Sequence, residues 1–136
     1  MPAQLSTKAR QLIDRPILAT LATIDGQGRP HLTPLWITRD GDDLIVNTAQ
    51  GRAKARHIEE NPAVGVTVID PDDAYNVVAV RGTVTEVTTE GADAVIDGLA
   101  KKYLGVDTYP MRQPGEVRIT YVVKADKVVM QSTDAS

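Results

Sequence analysis

A chain of 136 residues, 42% hydrophobic and 24% charged, has the length for one domain and the composition of an ordinary globular protein. Its formal net charge of −3 argues against a nucleic-acid binder, and 4% aromatic residues with no phenylalanine leave no platform for stacking bases. The lack of cysteine excludes disulfides, a thiol nucleophile and thiolate metal ligands, and no apolar run approaches the roughly 20 residues of a membrane span. The opening stretch, MPAQLSTKARQLIDRP, carries charge every few residues and no signal-type apolar core, so the expected location is cytoplasmic.

Leu5, Ala9, Leu12 and Ile13 form an i, i+4, i+7, i+8 stripe, which predicts a short amphipathic helix capped near Ser6 and ended by Pro16. Residues 17–24 (ILATLATI) read as a buried strand, 31–38 (HLTPLWIT) as a half-buried one and 44–48 (LIVNT) as a third. The tight turns DGQGRP and RDGDD join them into an expected antiparallel meander. A helix follows over 51–62 and stops at Asn61-Pro62. The sheet resumes over 63–70 and 76–88, and a second long helix runs over 90–104 to Gly105. A loop with two prolines leads to one or two strands within 117–132, bending or turning near Lys124-Ala125-Asp126, and residues after about 131 read as a flexible tail. The fold class is therefore mainly β with flanking helices: six or seven antiparallel strands, which avoid open edges by closing into a barrel.

Acidic residues gather in turns (Asp40, Asp42, Asp43; Asp70, Asp72, Asp73) and read as turn formers rather than a metal cage. His31 and His57 are too far apart in sequence to suggest a metal site. With no nucleophile elbow, phosphate loop or dinucleotide fingerprint, an enzyme of this sequence would draw its reactivity from a bound cofactor. The segment GRAKARHIEENP (51–62) is the candidate holder. It follows a strand ending in Asn47-Thr48, so the first N–H groups of the helix point toward the end of the sheet, a position that favours an anion. Arg52 and Arg56 lie one helical turn apart, Lys54 projects from the first turn, and guanidinium groups hold phosphate oxygens bidentately. The alternative is a solvated basic face paired with Glu59 and Glu60. Trp36 is a core or interface residue or the wall of a flat ligand pocket. Pro34, beside Thr33, demands an edge or a bulge in its strand. Lys101 and Lys102 complement a helix dipole or reach an anionic tail.

Taken together, ILATLATIDGQGRPHLTPLWI, LIVNTAQGRAKARHIEENPAVGVTV and VRGTVTEV resemble the pyridoxamine-phosphate-oxidase-like split β-barrel superfamily over roughly residues 8–130. The likeness is strongest to its small flavin/deazaflavin oxidoreductase branch. That resemblance implies a homodimer with the cofactor in a groove between subunits; no membrane partner is expected, from the lack of a long apolar run. It assigns the cofactor phosphate to Arg52, Lys54 and Arg56, with Thr48 and Gln50 at the strand–helix junction. Thr33, Pro34, Leu35 and Trp36 would run along the cofactor ring, with Asn47 near it. Tyr75 and Asn76, with Lys101, Tyr103 and Tyr109, would come from the partner subunit. The implied cofactor is coenzyme F420, with FMN as the alternative, because a phosphate site serves both. Lys101, Lys102 and Arg112 are available for the carboxylate tail that F420 adds. The implied function is hydride transfer from the reduced deazaflavin to a planar conjugated small molecule. A same-fold FMN oxidoreductase or a non-catalytic cofactor carrier are the other readings. The C-terminal VVMQSTDAS lacks the Arg- and Trp-containing segment of true pyridoxamine-phosphate oxidases, so vitamin B6 oxidation is not expected.

Overall fold

The computed structural model describes residues 3–132. Helix α1 (Thr7–Asp14) starts at Ser6, whose hydroxyl accepts from the Ala9 N–H, and buries Ala9, Leu12 and Ile13 as the stripe predicts. Strands β1 (Ala19–Ile24), β2 (Pro30–Leu35), β3 (Thr38–Asp40) and β4 (Asp43–Ala49) precede helix α2 (Ala53–Glu60). Then come β5 (Ala63–Ile69), β6 (Val77–Thr88), α3 (Ala92–Leu104) and β7 (Arg118–Gln131). The strands form one antiparallel sheet in the order β2-β1-β5-β6-β7-β4-β3.

This order corrects the expected meander. β2 and β4 are not neighbours: the segment read as one strand over 31–38 divides after Leu35, and its two halves lie on opposite edges of the sheet. Only Trp36 and Ile37 connect those edges. Three Cα steps span at most about 11 Å, so the sheet must curl until its edges nearly meet. The barrel is closed by the covalent chain at this seam rather than by ladder hydrogen bonds. Pro34, which has no N–H to donate, sits on the edge strand β2, where proline is tolerated.

Of the one or two strands expected at the C-terminal end the structure has one, and of the bend or turn expected near Lys124-Ala125-Asp126 it has an irregularity within that strand. β7 runs through Lys124-Ala125-Asp126 without turning and pairs with β4 on one side and β6 on the other. The register with β6 slips between Arg81 and Gly82, where Asp126 is left out of the ladder. Gly82 makes this possible, since a Cβ there would lie 2.7 Å from the Lys124 carbonyl oxygen. The residues read as a flexible tail lie, from 133 onward, outside the described residues.

Inside the barrel, alternate residues meet: Ala19 and Leu21 of β1, Leu44 and Val46 of β4, Val64, Val66 and Val68 of β5, Val78 and Val80 of β6, and Ile119, Tyr121 and Val123 of β7. α1 contributes Leu12 and Ile13 to this same core, and α2 contributes Ala55 and Ile58. Leu44 is fully buried, and its truncation to alanine is worth about 2–5 kcal/mol. α3 lies over the outside of β4 and β7 and buries Ala92, Ile96, Leu99 and Ala100. The second face of β4 and β7 is thereby withdrawn from water, and the site is built there.

Candidate functional site: a cation-lined cavity where β4 meets α2

β4 carries Asn47 and Thr48 to the end of the sheet, and the chain then turns at Gly51, whose φ of +88° suits glycine alone. α2 begins immediately, with Arg52 at its N-cap and no side chain capping its first N–H groups. In the β4–β7 ladder Asn47 lies opposite Thr120 and Ala49 opposite Arg118. Arg118 therefore stands beside the helix start. The result is a cavity of about 140 Å³ lined by Trp36, Asn47, Thr48, Arg52, Lys54, Tyr109 and Arg118, with Ile96, Leu99 and Met111 as its apolar side.

Arg118, 6% exposed, is held firmly. Its Nε donates to Asn47 Oδ1 at 2.8 Å, and its guanidinium lies 5.2 Å from the centre of the Tyr109 ring. Asn47 is oriented in turn by donating to the Ala92 carbonyl at 2.9 Å and to Thr120 Oγ1 at 3.1 Å. Glu116 approaches Arg118 Nη1 at 3.4 Å, and its buried Oε2 has no partner among the described residues. Arg52 and Lys54 are different: among the described residues neither has an acidic partner. Burial lowers the Lys54 pKa, and repulsion from Arg52 and Arg118 lowers it further. These like charges repel one another across the cavity.

The aromatic side is equally ordered. Trp36 stacks on Tyr103, with ring centres 5.3 Å apart and planes 13° from parallel, and meets Tyr109 edge-on at 5.9 Å.

Of the residues the sequence singled out, Trp36, Asn47, Thr48, Arg52, Lys54 and Tyr109 share this cavity within one chain. Thr33, Pro34 and Leu35 lie on the edge strand that leads to Trp36 and do not line the cavity, and the Thr33 hydroxyl is buried without a partner among the described residues. Gln50 points into solvent while its backbone N–H donates to the Val117 carbonyl. Arg56 turns back and donates to the Gly51 carbonyl at 2.8 Å, so it braces the strand–helix turn instead of entering the cavity. Tyr75 is exposed, and Asn76 donates to Asp70 at the α1 side of the barrel. Lys101 is exposed on α3. Lys102 and Arg112, read as available to a carboxylate tail, already have partners in this chain. Lys102 donates to the carbonyls of Ile13 and Ile37, and Arg112 pairs with Asp93 and Asp97.

Sequence reasoning missed Arg118. A signal existed: Glu116, Arg118 and Thr120 alternate with Val117, Ile119 and Tyr121, a polar face opposite an apolar one in a strand. Among the described residues no group of three His, Asp or Glu side chains is disposed to hold a metal, and no helix is long and apolar enough to cross a membrane.

Fold and cavity together define a class, a mainly β split barrel with a cation-lined cavity where a strand gives way to a helix. The chain belongs to the pyridoxamine 5'-phosphate oxidase family, whose profile matches residues 5–130. It is 34% identical over 89 residues to a pyridoxine/pyridoxamine 5'-phosphate oxidase of Pseudomonas entomophila, a match covering 65% of this chain and 41% of that relative. The chain thus matches about two fifths of the relative's length. Among solved structures it is similar to one described as an F420 reductase, at 31% identity and a TM-score of 0.79, covering 88% of this chain and 94% of the other. It also shares its fold with the conserved hypothetical protein Rv2991 of Mycobacterium tuberculosis, at 20% identity and a TM-score of 0.76, covering 96% and 86% of the two chains.

Proposed function

We propose that the protein is an oxidoreductase that holds coenzyme F420 by its phosphate and serves hydride transfer to a planar conjugated small molecule. The observation that carries this reading is the convergence of Arg52 and Lys54, cations with no acidic partner among the described residues, with Arg118 on one cavity walled by Trp36 and Tyr109. A phosphate satisfies that cluster: guanidinium forks match its oxygens, and the uncapped start of α2 supplies backbone donors. Likeness to the structure described as an F420 reductase favours the deazaflavin over FMN. Bound and reduced, the deazaflavin supplies a hydride from its C5 carbon. The residues of this chain bind, orient and exclude water, and positioning does most of the work.

At about 140 Å³ the cavity admits an anion but not a tricyclic ring, since sites for drug-sized ligands run to roughly 300–1,000 Å³. The ring therefore extends beyond it, against a surface that one chain leaves open, which supports a homodimer with the groove between subunits. A further support is the outer sheet face. There Leu32 and Val129 are exposed around a groove of about 420 Å³ floored by small residues such as Ala22, Gly65 and Ala79. Tyr75 and Asn76 belong to this reading as residues offered to the partner's site.

Protein made in a host that has FMN but no deazaflavin is the test. It should be colourless and bind F420 at micromolar or tighter dissociation constant, with fluorescence of Trp36, the single tryptophan, reporting the titration. Purification with tightly bound FMN would move the reading to an FMN oxidoreductase. Binding of neither would end it.

A further inference from the structure

The seam between the sheet edges has no ladder of its own, yet it carries Trp36. Two consecutive residues of α3 hold it. The Tyr103 hydroxyl accepts from the Ile37 N–H at 3.1 Å and donates to the Ile17 carbonyl at 2.7 Å. Lys102 Nζ donates to the Ile37 carbonyl at 2.6 Å and the Ile13 carbonyl at 2.7 Å. Both polar backbone groups of Ile37 are thus satisfied by side chains of one helix, which also gathers the end of α1 and the loop before β1. The Tyr103 ring meanwhile stacks on the Trp36 indole. Tyr103 does not line the cavity, whereas Trp36 does. Burial raises the Tyr103 pKa, so the hydroxyl keeps its proton and its donor role across the working range of pH.

We propose that Tyr103, supported by Lys102, is a positioning residue that sets the Trp36 indole as the flat wall recognising the ring of the cofactor, while the cations recognise its phosphate. The proposal rests on the cofactor reading above and divides the site into two separable parts. Tyr103 bonds to backbone in the seam, at Ile37, and before β1, at Ile17, and stacks on the wall itself. A loss there frees the indole and leaves Arg52 and Lys54 in place; the indole's link to Arg118 runs through Tyr109.

The experiment compares dissociation constants of F420, FMN and inorganic phosphate for the wild type, Tyr103→Phe, Tyr103→Leu and Trp36→Leu. Tyr103→Phe removes the hydrogen bonds and keeps the stack, and Tyr103→Leu removes both. Ring-bearing ligands should weaken by about threefold in the first and tenfold in the second, from the worth of one hydrogen bond and one aromatic pair. Phosphate affinity should hold, and Trp36 emission should shift to the red with lower anisotropy. In the Trp36→Leu background the Tyr103 substitutions should lose their effect on ring binding, a double-mutant cycle. If Tyr103→Leu does not fold, Lys102→Met, which releases the carbonyl of Ile37, the residue whose N–H Tyr103 holds, should weaken ring-bearing ligands in the same direction.

An unchanged ratio of ring to phosphate affinity in every variant overturns the proposal, as does equal loss of both or an undiminished Tyr103 effect without Trp36. Failure of the cofactor reading looks different: the wild type then binds none of the three ligands, or Arg52→Ala with Lys54→Ala leaves phosphate binding unaltered.

Discussion

Two corners of this molecule gather cations, and they treat them oppositely. Beside α1, Arg15 pairs with Asp70 at 3.1 Å and with Asp72 at 2.9 Å, and Asp70 also accepts from the Asp72 backbone N–H. That backbone bond, with Asn76 and Arg15, holds the Asp70 pKa below the usual carboxylate range against the opposing effect of burial. At the start of α2, Arg52 and Lys54 have no carboxylate partner among the described residues and raise each other's electrostatic cost. The first corner is settled and structural, a pinning of the β5–β6 loop to the first helix. The second leaves its charge unspent, which is what a binding site for an anion requires. Charge counting cannot separate the two corners. Pairing does.

The largest effect that tests this contrast is on ligand binding. Arg52→Ala with Lys54→Ala should weaken F420 or FMN by about 100-fold or more, the loss of two charge-assisted contacts, while Arg15→Ala leaves the affinity unchanged. Titration by tryptophan fluorescence measures both, and equal losses would erase the distinction between the corners.

Arg118 tests the border between structure and function. Arg118→Ala removes a proposed ligand contact and also strands Asn47 Oδ1 and the buried Glu116 carboxylate. Urea unfolding should therefore show a loss of about 2–4 kcal/mol besides weaker binding. Arg52→Ala should show little loss of stability.

A smaller effect comes from pH. Because the Lys54 pKa lies below its ordinary 10.5, affinity for the anion should fall as pH rises toward that value and the lysine discharges. Lys54→Arg stays charged, so its affinity should hold through the same window. Coincident pH profiles would show that Lys54 does not face the ligand.

The smallest concerns Lys102, whose pKa burial lowers to about 8, opposed by Asp14 and helped by Arg39. Below pH 8 the lysine is charged in both the folded and unfolded chain. Between about 8 and 10.5 only the unfolded chain still binds the proton, so this residue's contribution to stability rises with pH. Half-exposure of the side chain keeps the gain modest. Urea midpoints of wild type minus Lys102→Met across that window should show the rise, and a flat difference would contradict the lowered pKa.

Much of this was legible beforehand. The α1 stripe and its Ser6 cap are local, and local periodicity reads them well. The strands over 63–70 and 76–88 were legible because alternation depends only on the two-residue repeat of a strand, and Val64, Val66, Val68, Val78 and Val80 lie in the core. Pro34 announces an edge because it lacks an N–H. Arg52 and Lys54 were visible as a cluster after a strand ending in Asn47-Thr48. The fate of Arg56 was not: helical spacing puts it near Arg52, but the turn at Gly51 offers a carbonyl within its reach.

Three decisions belong to the tertiary structure. That HLTPLWIT divides into two strands on opposite sheet edges follows from closure of the sheet, a long-range condition that no window of sequence contains. That VRITYVVKADKVVMQ is one strand follows from the close approach of Gly82, 43 residues before Ala125 in the chain. Arg118 reaches the cavity because β7 pairs with β4 and α3 covers that face, shielding an arginine which in isolation reads as any surface charge. Sequence by itself determined which residues are apolar at which period, where helices start, and that cations collect at 52 and 54. Pairing partners, and with them which charges stay uncompensated, were decided only in three dimensions. Neutralisation depends on distance through space, and distance through space is what the fold creates.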